Sequence, residues 1–163
     1  PALIPAGSRC SGMVLNIDFA PTFTEAAGLP VPENIQGASF LKLLKGENTP
    51  WRGAFLYEYF WERSFPQTPT VLGVRTDTHK LMQYHGVWDC YEMYDLENDP
   101  DEMNNLLAGL IQKHESGTLD GFISAKAPEP VRKTFKQLHK TLMDLLKETG
   151  ARPEPVWSGG SKG

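Results

Sequence analysis

Apolar and polar positions divide the chain into three stretches with different periods. From Met13 to Gly46 the apolar residues form short helical groups. Phe19, Phe23 and Ala26 or Ala27 would line one face, and Phe40, Leu41, Leu43 and Leu44 pack a second short helix. Asp18 reads as the N-cap of the first group, with Pro21 in its first turn and Gly28 just past its end. Ser39 and Gly46 bracket the second group in the same way. Between them, Pro30 and Pro32 exclude regular pairing, so the segment is a linker.

After Pro50 the pattern becomes strand-like. Ala54–Trp61, Thr70–Asp77, Lys80–Tyr84 and Tyr91–Leu96 read as four short runs rich in β-branched and aromatic residues. Thr78 and His79 form the tight turn between the second and third, and Gly86 marks the next turn. Parallel strands would need long crossovers, which are absent, so the runs predict an antiparallel meander. Asp99-Pro100-Asp101-Glu102 reads as a helix start, with Asp99 as cap. Residues 113–128 are polar and contain glycine, which predicts a loop. Pro130 then opens a long helix to about Thr149. Val131, Phe135, Leu138, Leu142, Leu145 and Leu146 give it a single apolar stripe. A stripe must be buried, and the meander is the available partner. The expected fold class is therefore α+β, a small antiparallel sheet of about four strands with the C-terminal helix packed on it. The sheet's other face carries aromatic residues that also need a cover, or they form an interface.

Composition refines this picture. The 163 residues amount to about one domain on a prior of roughly 150 residues. There are 15 Gly and 13 Pro, so the chain is rich in turns, while 8 Phe, 5 Tyr and 4 Trp supply a core. A net charge of −4 with no basic stripe argues against nucleic acid as a partner. The longest apolar runs are far too short for a membrane span. Cys10 and Cys90 exclude a disulfide framework and a four-thiolate zinc site. One disulfide stays open as an alternative to the preferred reading of two buried thiols. The chain starts at Pro1 with no signal peptide and reads as processed, trimmed or a piece of something longer. The segment 151–163, rich in Pro, Gly and Ser, reads as a flexible tail.

The residues of catalysis are sparse. There is no Gly-x-Ser-x-Gly elbow, since Gly37-Ala38-Ser39 belongs to a helix cap. Neither cysteine has an adjacent His, and His79, His85, His114 and His139 are scattered. His114-Glu115 lacks the second His of a zinc-binding helix. Asp95, Glu97, Asp99, Asp101 and Glu102 depart from a calcium loop, because Pro100 interrupts them and the obligatory Gly is missing. They read as an acidic turn. Two places suit a polar ligand. Glu58 and Glu62 flank Trp61, and Tyr84, His85, Trp88 and Asp89 surround the turn at Gly86. Such turns offer hydrogen bonds beside a stacking ring, or simply pack on a neighbouring surface. Arg75 and Lys80 could bind an anion or serve as ordinary surface charges.

Several of these runs, taken in series, resemble the sulfatases. Asn16-Ile17-Asp18-Phe19-Ala20-Pro21-Thr22-Phe23, then Gly28, then Gln36-Gly37-Ala38-Ser39-Phe40, resembles the closing stretch of the sulfatase catalytic domain. Tyr57-Glu58-Tyr59-Phe60-Trp61-Glu62 and Gly73-Val74-Arg75-Thr76-Asp77-Thr78-His79-Lys80-Leu81 resemble the start of the C-terminal subdomain. So does Trp88-Asp89-Cys90-Tyr91-Glu92-Met93-Tyr94-Asp95-Leu96, continuing through Asp99-Pro100-Asp101-Glu102. The likeness runs from about Ala6 to Leu107, and the last helix is its expected end. It is similar to the formylglycine-dependent arylsulfatase and N-acetylglucosamine-6-sulfatase-like families.

The resemblance implies that residues 1–50 are the tail end of an alkaline-phosphatase-like α/β catalytic domain. Residues 51–150 would then be the C-terminal subdomain. It implies a parent enzyme that hydrolyses sulfate esters, with sulfated sugars of glycosaminoglycan type as substrates. The family's formylglycine arises from Cys or Ser within Cys/Ser-x-Pro-x-Arg, and no such run occurs here. Its calcium ligands and sulfate-binding Lys and His residues have no counterparts either, so calcium is assigned to a missing N-terminal domain. That missing domain and a sulfated carbohydrate are the implied partners. The implied location is periplasmic, secreted or lysosomal. By position, the implied contacts to the organic part of the substrate are His85, Trp88 and Tyr84 on the turn, with Trp61, Glu62 and Thr68 on the preceding loop. The alternatives are a non-catalytic binding or accessory module of the same descent, and a purely structural lid.

Overall fold

The computed structural model describes residues 4–85, 91–111 and 123–151. The chain divides into two compact units, Pro1–Gly53 and Ala54–Gly163.

The first unit holds a short 3-10 turn, Asn16–Asp18, followed by α1, Phe19–Ala26, and a single helical turn, α2, Leu41–Leu44. Asp18 does not cap α1, as its spacing predicts; no side-chain cap bond forms there. The carboxylate is fully buried and gathers other groups instead. It accepts hydrogen bonds from the N–H of Leu15 at 2.7 Å and of Ala38 at 2.9 Å, and it pairs with the Arg52 guanidinium through both oxygens. Burial works to raise the Asp18 carboxyl, but the Arg52 bond and the two backbone bonds outweigh it and hold its pKa below the ordinary value. The Met13 carbonyl accepts from the Trp51 indole N–H and from Arg52. Thr22 completes the tie, its hydroxyl donating to the Asp18 carbonyl and accepting from the Phe40 N–H. Gly37 allows the close approach, since an added Cβ would stand 2.0 Å from the Ile17 carbonyl oxygen.

The second unit is the expected meander. β1 is Ala54–Tyr59, β2 Thr70–Thr76, β3 His79–His85 and β4 Tyr91–Asp95, in the order β1-β2-β3-β4. Every neighbouring pair is antiparallel. The two-residue connection at Asp77 and Thr78 falls one position earlier than the sequence suggests, because the Thr76 hydroxyl accepts the His79 N–H and donates to the His79 carbonyl.

Strand alternation sends two sets of side chains to opposite faces. Leu56, Val74, Leu81 and Met93 form one row across all four strands, and Leu72, Gln83 and Tyr91 another. This face packs against α3, Glu129–Glu148, through Phe135, Leu138, Leu142 and Leu146. Val131 and Leu145 flank the core, half-buried. His139 is also on this inner face, which the apolar stripe alone does not reveal.

Two further local expectations fail. No helix starts at Asp99. Its carboxylate accepts the N–H groups of Met103 and Asn104, and Glu102 takes a left-handed backbone (φ 56) that ends any helical continuation. Cys10 is an exposed free thiol rather than a buried one. Cys90, the tail from residue 152 and most of the 113–128 loop lie outside the described residues. The end of that loop is described, with Ile123 and Ala127 in the core.

Candidate functional site

The meander decides which connections meet. β1 and β3 run the same way, so the 60–69 loop leaving β1 and the connection leaving β3 at His85 emerge from one end of the sheet. Tyr59 pairs with Val71, Val71 with Tyr84, and Thr70 with His85. Trp61, Glu62 and Thr68 therefore share this end with Tyr84 and His85. Trp88 and Asp89 lie outside the described residues, but the strand that follows them re-enters at Tyr91, opposite Gln83. Glu58 is exposed and points away from this row, in the register of Leu72.

The 60–69 loop is held by bonds of its own. The Trp61 N–H donates to the Thr70 hydroxyl at 2.9 Å, and its indole N–H donates to the Pro66 carbonyl at 3.2 Å. The Glu62 carbonyl accepts from Phe65, and the Phe65 carbonyl from Thr68, each at 3.0 Å. Tyr59 was not singled out by the sequence, yet its hydroxyl stands close enough to Glu62 and Thr68 for both to act on its titration. Burial, then the Glu62 bond and charge, raise its pKa above the ordinary tyrosine value, with Thr68 acting the other way. The spacing Tyr-x-x-Glu at the end of a strand is the signal that could have pointed to it. The loop is also apolar at its surface, with Phe60 and Phe65 about half exposed.

Tyr84 is half-buried, and its hydroxyl donates to Glu92 at 2.7 Å. Burial first, then this bond and the Glu92 charge, hold it far above the usual tyrosine range, so it stays protonated and cannot act as a base. From Tyr84 a cleft of about 400 Å3 runs along the sheet face turned away from α3. Phe55, Tyr57 and Val71 line it, and at its middle the Met82 side chain lies close over Gly73. A Cβ there would stand 2.5 Å from the Met82 sulfur and 3.2 Å from the Leu81 carbonyl oxygen. Arg75 and Lys80 border the far end. Lys80 is engaged, paired with Glu102 and 5.5 Å over the Tyr94 ring, whereas Arg75 is exposed.

Among the described residues, no three His, Cys, Asp or Glu side chains gather as a metal ion requires. The donor set of the described residues does not fit calcium. Asp95, the first of the acidic group, spends its carboxylate on Glu97 and Asn98. No helix among the described residues is long and apolar enough to cross a membrane.

Comparison with known proteins gives this arrangement a family. Residues 1–119 match the family described as N-sulphoglucosamine sulphohydrolase, C-terminal. An N-acetylglucosamine-6-O-sulfatase of Bacteroides thetaiotaomicron is 43% identical over 109 residues, covering 65% of this chain and 20% of that protein. Human arylsulfatase K is 30% identical over 114 residues, 63% of this chain and 20% of its own length. A protein solved with its substrate D-glucosamine-2-N,6-O-disulfate superposes with a TM-score of 0.73 at 33% identity, over 92% of this chain and 27% of that one. The chain thus spans about one-fifth of the curated relatives it matches. With nearly three-quarters of its length matched to that family, the chain belongs to the sulfatases, as their C-terminal domain.

Proposed function

We propose that this chain is the C-terminal part of an enzyme that hydrolyses sulfate esters of sulfated sugars, and that it forms the rim of the substrate pocket. Residues 1–50 then close the catalytic domain and 51–150 form the C-terminal subdomain, a division supported by the unit boundary after Gly53. One observation carries the reading. Trp61, Glu62, Thr68, Tyr84 and His85, far apart in sequence, stand at one end of one sheet.

The chemistry there suits a sugar. An aromatic ring stacks on the apolar face of a pyranose, and carboxylate, hydroxyl and imidazole groups take its hydroxyls. The N-acetylglucosamine-6-O-sulfatase among the relatives and the substrate bound in the solved neighbour agree with an aminosugar sulfate. The hydrolytic step belongs to residues elsewhere, because no Cys/Ser-x-Pro-x-Arg run exists in these 163 residues. What this chain supplies is orientation of the organic part, which lowers KM rather than making the reaction possible.

The test uses the full-length protein that contains this chain. Trp61→Ala and His85→Ala are each expected to lower kcat/KM on N-acetylglucosamine 6-sulfate about tenfold. The melting temperature should stay within about 2 °C. Unchanged kinetics in both variants would end the rim reading.

A further inference from the structure

Thr70 is the first residue of β2 and is buried, at 6% exposure, although it is polar. Its hydroxyl accepts the Trp61 N–H at 2.9 Å. Its backbone stands opposite His85 in the β2–β3 ladder. One residue thus touches both connections that meet at this end of the sheet, the first through its side chain and the second through its main chain. Val71, its neighbour, pairs with Tyr59 on one side and Tyr84 on the other, so the adjacent row is fixed by the same strand. The bond costs Thr70 nothing in helix or sheet pairing, because the hydroxyl is used and the ladder keeps its backbone groups.

We propose that Thr70 is a positioning residue of the rim, whose hydroxyl sets the Trp61 loop in register with the strand end that carries His85. This rests on the rim reading above. The consequence is a specificity device. A stacking ring and a hydrogen-bonding group can both engage one sugar only when their separation is fixed, and a loop free to shift loses that advantage first in KM. Without the hydroxyl, the Trp61 N–H loses this bond and the ten-residue loop is tied less firmly to the strand at its start. Its indole would still bond Pro66, so the loop keeps its internal shape while its placement relaxes.

The test again uses the full-length protein, with two substrates. N-Acetylglucosamine 6-sulfate engages the rim, whereas a small aryl sulfate reports the sulfate chemistry with little help from it. Thr70→Val and Thr70→Ala are expected to raise KM for the sugar roughly five- to tenfold, the worth of one neutral hydrogen bond. Their kcat should stay within about twofold, and the aryl sulfate kinetics should not change. Thr70→Ser keeps the hydroxyl and should behave as the parent. In a Trp61→Ala background, Thr70→Val should add less than about twofold, since its effect passes through that loop.

Three outcomes overturn the proposal: an unchanged KM in both Thr70 variants, an equal fall in kcat on both substrates, or effects that multiply with Trp61→Ala. If Trp61→Ala and His85→Ala themselves leave sugar kinetics unchanged, the rim reading falls and takes this proposal with it. If they lower kcat/KM while Thr70→Val does not, only the role of Thr70 is lost.

Discussion

His139 is 6% exposed, with its Nε2 3.3 Å from the Tyr91 hydroxyl and no partner for Nδ1. The Phe135 and Tyr91 rings stand about 6 Å from it. Burial alone lowers its pKa from 6.5 to about 4, because a charged imidazole has no compensating group there. The neutral ring is therefore the folded form. The unfolded chain takes up a proton at higher pH, so this residue contributes fully above about pH 6.5 and loses its contribution as pH falls towards 4. The loss amounts to about 3 kcal/mol over that range. His139→Gln, neutral throughout, should show a shallower fall in melting temperature between pH 6.5 and 4 than the parent; parallel curves would contradict the assignment. Asp18 is the opposite case, a buried charge held by one local partner, the Leu15 N–H, and by Ala38 and Arg52 from farther along the unit. Its position before an amphipathic run suggested a helix cap. Only the fold shows Ala38 and Arg52 converging on it, since contacts 20 and 34 residues away leave no local trace.

At the level of elements, the strands and the long helix were legible because each carries its own period. β1 to β4 fall within two residues of the runs read from alternation, and α3 begins one residue before Pro130. The α3–sheet contact is the centre of the second unit. Leu142 is fully buried between Phe135 and Leu146 on the same stripe. Leu142→Ala should destabilise the chain by about 2–5 kcal/mol, through lost burial and a cavity, as measured by urea unfolding. A change under about 1 kcal/mol would mean that the helix is not held by this stripe. The Asp99 segment was misread for a physical reason. An acidic cap followed by Pro and two acids satisfies every rule for a helix start, but those rules describe only the first turn. Met103, Leu106, Leu107, Leu110 and Ile111 even recur at helical spacing, but the carboxylate closes a turn onto Met103 and Asn104 and Glu102 takes a positive φ, so Leu107 reaches the core without a helix. The site was half legible. Its residue types were visible on two separate segments, whereas their convergence depends on strand order and so on the assembled sheet.

For the molecule as a whole, the exposed apolar groups are the outstanding feature. Phe19, Phe23, Leu29 and Val31 are exposed in the first unit, and Tyr57, Phe60 and Phe65 in the second. Surfaces of this kind mark contact with another body. The 163-residue chain alone should bind an anilinonaphthalene dye and associate with rising concentration, and Phe23→Ser should reduce both. A dark, monomeric chain at high concentration would argue that these surfaces are self-sufficient. The strand order has a consequence of another kind. Because it follows chain order, the first and third connections leave the sheet together, while the second leaves alone at the opposite end. Descendants of this sequence are free to lengthen, shorten or rewrite the first and third without sliding a single backbone pair. A one-residue change in the tight turn at Asp77 and Thr78 would instead turn core side chains outward. The architecture separates a register-locked frame from an interchangeable edge, so new substrate preferences can be tried by splicing at one edge while the frame folds as before.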